Sequence, residues 1–257
     1  MIDFSQVFAV DIQLWHFPVL FFAGLIGESF GALVGGGSIV TMPALLLTGV
    51  PLQSAIAVDN AASLGTEAGI VSETIKKIRA NKKWVLILAI PLTAGGIVGT
   101  WLLLNVPGTI IRYLMIVTVL LVLADAHFNK GRKPRQISRT RYEVVIGFMF
   151  LIGIYSNFMT AGEGAFSRIG LMTILGWSFI QSQGIKAAAT VPSRIYSLII
   201  TAFAGLIIWP YLLTMFCATF LAGRYATEYA KKIPDKYMRS ALTVVSLAFV
   251  AYLLFFY

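Results

Sequence analysis

Apolar residues along this chain fall into long unbroken runs instead of stripes, at roughly 14–34, 38–48, 53–72, 84–104 and 110–127, then 142–161, 164–175, 179–200, 209–227 and 239–257. A helix needs about 20 apolar residues to cross a bilayer, so most of these runs predict transmembrane helices. The runs at 38–48 and 164–175 are too short, and each directly follows a glycine cluster. They predict broken or re-entrant half-helices, whose irregular backbone is tolerated at membrane depth only where protein or a water-filled cavity shields it. Adding 127 carries Gly49 onto Gly176, Gly96 onto Gly223, Pro107 onto Pro234 and Arg112 onto Arg239. The pattern therefore predicts an all-α polytopic membrane protein with one transmembrane repeat over 1–127, a second over 142–257 and a basic linker at 128–141.

Polar positions set the orientation. The first repeat has a strongly basic stretch, SETIKKIRANKK (72–83), where the second has the uncharged IITAFAGLIIWP (199–210). The next pair reverses this: LLNVPGT (103–109) is uncharged and YAKKIPDK (229–236) is not. Because Lys and Arg gather in short cytoplasmic loops, equivalent loops lie on opposite sides, which predicts inverted-topology repeats. The linker run FNKGRKPRQISRTRYE (128–143) holds six basic residues and one acidic, so it is expected in the cytoplasm. Counting crossings from there puts both termini outside.

Composition agrees: 58% hydrophobic and 12% charged residues exclude an ordinary soluble domain, where about 25% are charged. The formal charge is +9, and fifteen of the 20 Lys and Arg lie in 76–83, 130–141 and 231–239. Each cluster follows an apolar run, which predicts contact with anionic headgroups on the cytoplasmic side and no nucleic acid. The single cysteine, Cys217, allows no intrachain disulfide or thiolate metal site. His16 and His127 stand near predicted membrane ends and are read as interfacial, as are Trp15, Trp84, Trp101, Trp209 and Tyr211 in an aromatic belt. GALVGGGS does not match a phosphate-binding loop, and no cofactor or metal is expected. No basic stretch precedes the first apolar run, which argues against a cleaved signal peptide.

The chemistry is expected at the glycine clusters, within GESFGALVGGGSIVTMPALLLTG (27–49) and GIYSNFMTAGEGAFSRIGLMTILG (153–176). Helices starting at Gly36 and Gly37, and at Gly162 and Gly164, would aim unpaired N–H groups and a positive dipole end at an anion. The competing reading is that these glycines only permit close helix packing. Ionisable residues inside a membrane cost about 2.5–3.5 kcal/mol each and are read as functional. Arg168 falls on the second short run, and Lys186 and Arg194 share one face of the following helix. Arg offers a fork for oxyanions and Lys a compact charge. The alternative is internal pairing: Arg168 with Glu163, or Lys186 and Arg194 with Asp59 or Glu67, their repeat equivalents. A mixture is expected, with one cation neutralised and at least one free for substrate. Ser38, Thr41, Asn60, Ser63, Thr160 and Ser193 add hydrogen-bonding capacity, unless spent on their own helices. Glu28 reads either as a proton site or as a packed, satisfied acid.

GALVGGGSIVTMPALLLTGVPLQSAIAVDNAAS (31–63) and TAGEGAFSRIGLMTILGWSFIQSQGIKAAATVPS (160–193) resemble, in order and spacing, the TauE/SafE family of sulfite and organosulfonate exporters, and the likeness spans nearly the whole chain. The resemblance implies export of small sulfur oxyanions or related organic anions through a site between the halves. This chain departs from the family pattern at Asp59, Asn60 and Ala61, at Glu163 and at Arg168. The expectation is a secondary transporter, not an enzyme, in a bacterial-type inner membrane, exporting a small anion such as sulfite or sulfoacetate by alternating access at a midplane site. An anion channel of the same fold stays open as a reading. So does a membrane enzyme or maturation factor, which the absence of a clustered nucleophile and base weakens.

Overall fold

The computed structural model describes residues 11–34, 36–128, 142–177, 179–229, 247, 249–251 and 253–255. These form α1 (His16–Val34), α2 (Ser38–Leu47), α3 (Leu52–Ala80), α4 (Lys82–Asn105), α5 (Gly108–Phe128), α6 (Tyr142–Phe158), α7 (Glu163–Leu175), α8 (Phe179–Phe203) and α9 (Trp209–Tyr229). Helical backbone recurs between 247 and 255, and no strand occurs among the described residues. Most of the linker, the loop after 229 and most of the last apolar run lie outside them.

The short elements are where the pattern put them. α2 has 10 residues and α7 has 13. Both stop at left-handed glycines, Gly49 at φ +80° and Gly176 at φ +65°. These are repeat equivalents, and glycine adopts that conformation without a side-chain clash. One boundary differs from expectation. The basic stretch 72–80 is not a loop: α3 continues through it for 29 residues, and the chain turns only at Asn81. Glu, Lys, Arg and Ala favour helix, and Ser72 and Thr74 return their hydroxyls to the carbonyls of Gly69 and Ile70. At 1.5 Å per residue α3 spans about 43 Å, longer than a hydrocarbon core of about 30 Å.

Helix packing repeats with the sequence. α1 packs on α9 and α6 on α4; α3 packs on α9 and α8 on α4; α1 packs on α2 and α6 on α7. Adding 127 exchanges the members of each of these couples. α3 and α8, equivalents of one another, pack together at the centre. Small residues bring the backbones close: a β-carbon at Gly223 would strike the backbone of Thr66, and one at Gly153 the carbonyl of Leu92.

The outer faces are apolar. Phe203 is 88% exposed, Ile90 72% and Leu86 64%, an apolar surface that water alone would not stabilise. Cys217 is exposed there as well. The interior is inverted in polarity, with Asp59, Asn60, Glu67, Asn157, Glu163 and Arg194 all buried. α4 is by itself long and apolar enough to span a bilayer.

The aromatic belt is partly corrected. Trp15, Trp101 and Trp209 are exposed, but Tyr211 is fully buried. It hydrogen-bonds the buried ring of His16, so these two residues pack with each other instead of facing the interface. The side chain of His127 lies outside the described residues.

Candidate functional site

Pro51 and Gly49 end the turn that starts α3, and from there one face of α3 carries Asp59, Ser63, Thr66, Glu67 and Ile70 at helical spacing. α8 presents Gln183, Lys186, Ala187 and Arg194 at the same spacing. Between the two faces and the starts of α2 and α7 lies a cavity of about 70 Å³. One water needs about 10–15 Å³ on this measure, so the space between the described walls holds several waters or a small ion. Gly37 and Ser38 reach it from the first short helix, and Thr160, Glu163 and Gly164 from the second.

The two cations on the cavity wall, Arg194 and Lys186, are both paired. Arg194 donates from Nε to Glu67 Oε1 at 2.7 Å and from Nη1 to Asn60 Oδ1 at 2.8 Å, while Nη2 stands 3.7 Å from Glu163 Oε2. Its guanidinium is therefore engaged on every nitrogen. Lys186 donates to Glu163 Oε2 at 2.9 Å. The Arg194–Glu67 pair is one the sequence offered; Glu163 takes Lys186, where Arg168 had been considered. Arg168 falls within α7, but its side chain lies outside the described residues. Residues 67 and 194 occupy positions 127 apart in the chain and meet where α3 packs on α8.

The acids outnumber these cations. Glu28, Asp59, Glu67 and Glu163 are all buried. Asp59 accepts from Thr41, and Glu28 Oε2 accepts from Thr66 at 2.9 Å. Asp59 Oδ2, Glu67 Oε2, Glu163 Oε1 and Thr160 Oγ1 are buried without a hydrogen-bond partner among the described residues. Such groups are costly unless a proton, a water or a ligand satisfies them.

Ser38, Ser63, Gly37, Gly164, Lys186 and Arg194 line the cavity as expected of binding residues. Asn60 does not: its amide bonds Ser156 O and Asn157 Oδ1, both at 3.1 Å, tying α3 to α6. Gly36, Thr41 and Gly162 also stand off the wall, Gly162 serving as the left-handed cap of α7 at φ +81°. Ser63 lines the cavity while its hydroxyl bonds Asp59 O in its own helix. Ser193 faces Asn157 at 3.1 Å. Sequence reasoning passed over Gly31, Thr66 and Gln183 on the wall. Thr66 was within reach, three residues after Ser63 on the same helix face. Among the described residues no group of His, Cys, Asp and Glu is arranged to hold a metal ion.

Comparison with known proteins gives a family match over nearly the whole chain: the model described as sulfite exporter TauE/SafE covers residues 20–253. The probable membrane transporter protein ORF9 of a Sinorhizobium species is 26% identical over 250 residues, 95% of this chain and 94% of the relative. The probable membrane transporter protein YfcA of Escherichia coli K12 is 25% identical over 264 residues, covering 99% and 95%. A probable membrane transporter protein of Haemophilus influenzae is 20% identical over 246 residues, covering 94% and 96%.

Proposed function

The chain belongs to the TauE/SafE sulfite exporter family of integral membrane transporters, and from that premise we propose that it exports a small anion, sulfite or an organosulfonate such as sulfoacetate, by alternating access. The observation that carries this reading is the cavity shared by both short-helix starts and both central helices. A site built from equivalent pieces of two repeats can open to either side as one half rocks against the other. The exchange of packing partners on adding 127 and the contact between residues 67 and 194 support a two-fold relation. The interchanged basic stretches support an axis in the membrane plane, hence inverted repeats with α2 and α7 as re-entrant pieces. On this reading the linker and the basic end of α3 face the cytoplasm, both termini lie outside, and the membrane is a bacterial inner membrane.

Substrate would meet Lys186, the more accessible of the two cavity cations at 13% side-chain exposure, together with Ser38, Ser63 and the backbone at Gly37 and Gly164. Arg168 is the further cation of this reading. Arg194 positions Glu67 and Asn60 and is not offered as a substrate fork. In proteoliposomes loaded with sulfite or sulfoacetate, labelled anion outside should show counterflow, which a channel does not give. Lys186→Ala or Arg168→Ala should remove the stabilisation that these anions confer in detergent. Unchanged ligand-induced melting shifts in both variants would take both residues out of the site.

A further inference from the structure

The glycines before the first short helix make room for an acid of the chain itself. Gly37 caps α2, and a β-carbon there would lie 2.6 Å from Glu28 Oε1 and 2.9 Å from its carboxyl carbon. At Gly31 it would lie 3.3 Å from Glu28 Oε2. The Glu28 carboxylate thus rests against the start of α2, where the positive end of the helix dipole favours an anion. It also lines the cavity. Glu28 is 8% exposed, and among the described residues no cation is within ion-pair distance of it.

The charges facing Glu28 are Asp59 on α3 and Lys186 and Arg194 on α8. Both cations are committed to Glu163 and Glu67. α2 carries no charge. On α9, Arg224 pairs with Glu73. On α7, Glu163 is held by Lys186, and Arg168 has its side chain outside the described residues. A second feature makes this place more than a helix end. Thr160, 4% exposed, stands on the cavity wall beside Asp59, and its hydroxyl has no close hydrogen-bond partner among the described residues. A second anion entering here would join a carboxylate already at the helix start.

We infer that Glu28 is the proton-coupling group: a tethered carboxylate that competes with the substrate anion for the start of α2 and gives way when it takes up a proton. The carboxylate gains one proton and loses its charge, and the anion takes its place at the start of α2. One proton is therefore bound with each anion. This rests on the transporter reading, and two readouts keep their failures apart.

Methanesulfonate is a suitable probe because its charge does not change over the accessible pH range. Wild-type affinity should fall by about tenfold per pH unit once Glu28 has lost its proton, as expected for one linked proton. Glu28→Gln, permanently neutral, should bind it with no pH dependence and about as tightly as wild type does at its acidic limit. Glu28→Asp should keep the pH dependence. Identical pH dependence in wild type and Glu28→Gln would overturn the proposal, as would a folded Glu28→Gln that binds no anion at any pH while wild type does. If wild type binds neither methanesulfonate nor sulfite, the functional reading fails, and infrared titration decides the proton. A protonated-carboxyl band that titrates in wild type and is missing in Glu28→Gln supports the assignment; no difference between the two overturns it.

Discussion

The starts of the two short helices occupy corresponding places along the chain and differ in charge. At α7, Glu163 is the first helical residue and is held by Lys186, with Arg194 at 3.7 Å. At α2 the equivalent place is taken by Glu28, which accepts from Thr66, and by Asp59, which accepts from Thr41 and is faced by the hydroxyls of Ser38 and Thr160. An acid beside a cation is charge-compensated and can anchor helices. An acid held only by neutral donors in a buried site is the group whose charge changes most readily. Corresponding places in the chain thus carry acids in two different settings, one paired with cations and one without.

The Arg194–Glu67 pair is the most sensitive place to test this. Arg194→Gln leaves Glu67 buried without its cation and should cost about 3–5 kcal/mol, read as a large drop in melting temperature in detergent. Glu67→Gln added to Arg194→Gln should cost less than Arg194→Gln alone, since no charge is then stranded. Equal losses would mean that the pair does not join the two halves.

Equivalent glycines sharpen the comparison at smaller scale. A β-carbon at Gly223 meets backbone of Thr66, whereas one at Gly96 meets the side chains of Ser193 and Asn157. Side chains can rotate and helices cannot easily part. Gly223→Ala should therefore destabilise by about 1–3 kcal/mol and more than Gly96→Ala; thermal unfolding of the two variants side by side decides the order. The smallest effect is expected at Arg224, 3.4 Å from Glu73 with both side chains 44% exposed. Arg224→Ala should change stability by no more than about 1 kcal/mol. A larger loss would place functional charge outside the central cavity.

Most of the helical order was legible because a bilayer demands long apolar runs and a half-helix cannot hide its shortness. The one misplaced boundary, at 72–80, arose because charge was read as loop, although Lys, Glu and Arg are good helix formers once beyond the apolar region. For the candidate site, the pair Glu67–Arg194 was visible as opposite charges at equivalent positions. Lys186 with Glu163 was not, because they lie 23 residues apart across the α7–α8 turn and no periodicity links them. Asn60 was read as a ligand for substrate, since a buried amide in an apolar helix gives no sign of whether it faces a cavity or a neighbour.

The sequence by itself determined the short helices, the glycine stops and which charged residues fall within the apolar runs, all of which follow from local composition and spacing. Only the tertiary structure decided how the charges are spent. Pairing depends on which helix faces meet, and that is set by packing between α3, α6, α7 and α8. The same packing brought Glu28 to the start of α2, where the glycines first suggested a place for a substrate anion and the fold put a carboxylate of its own.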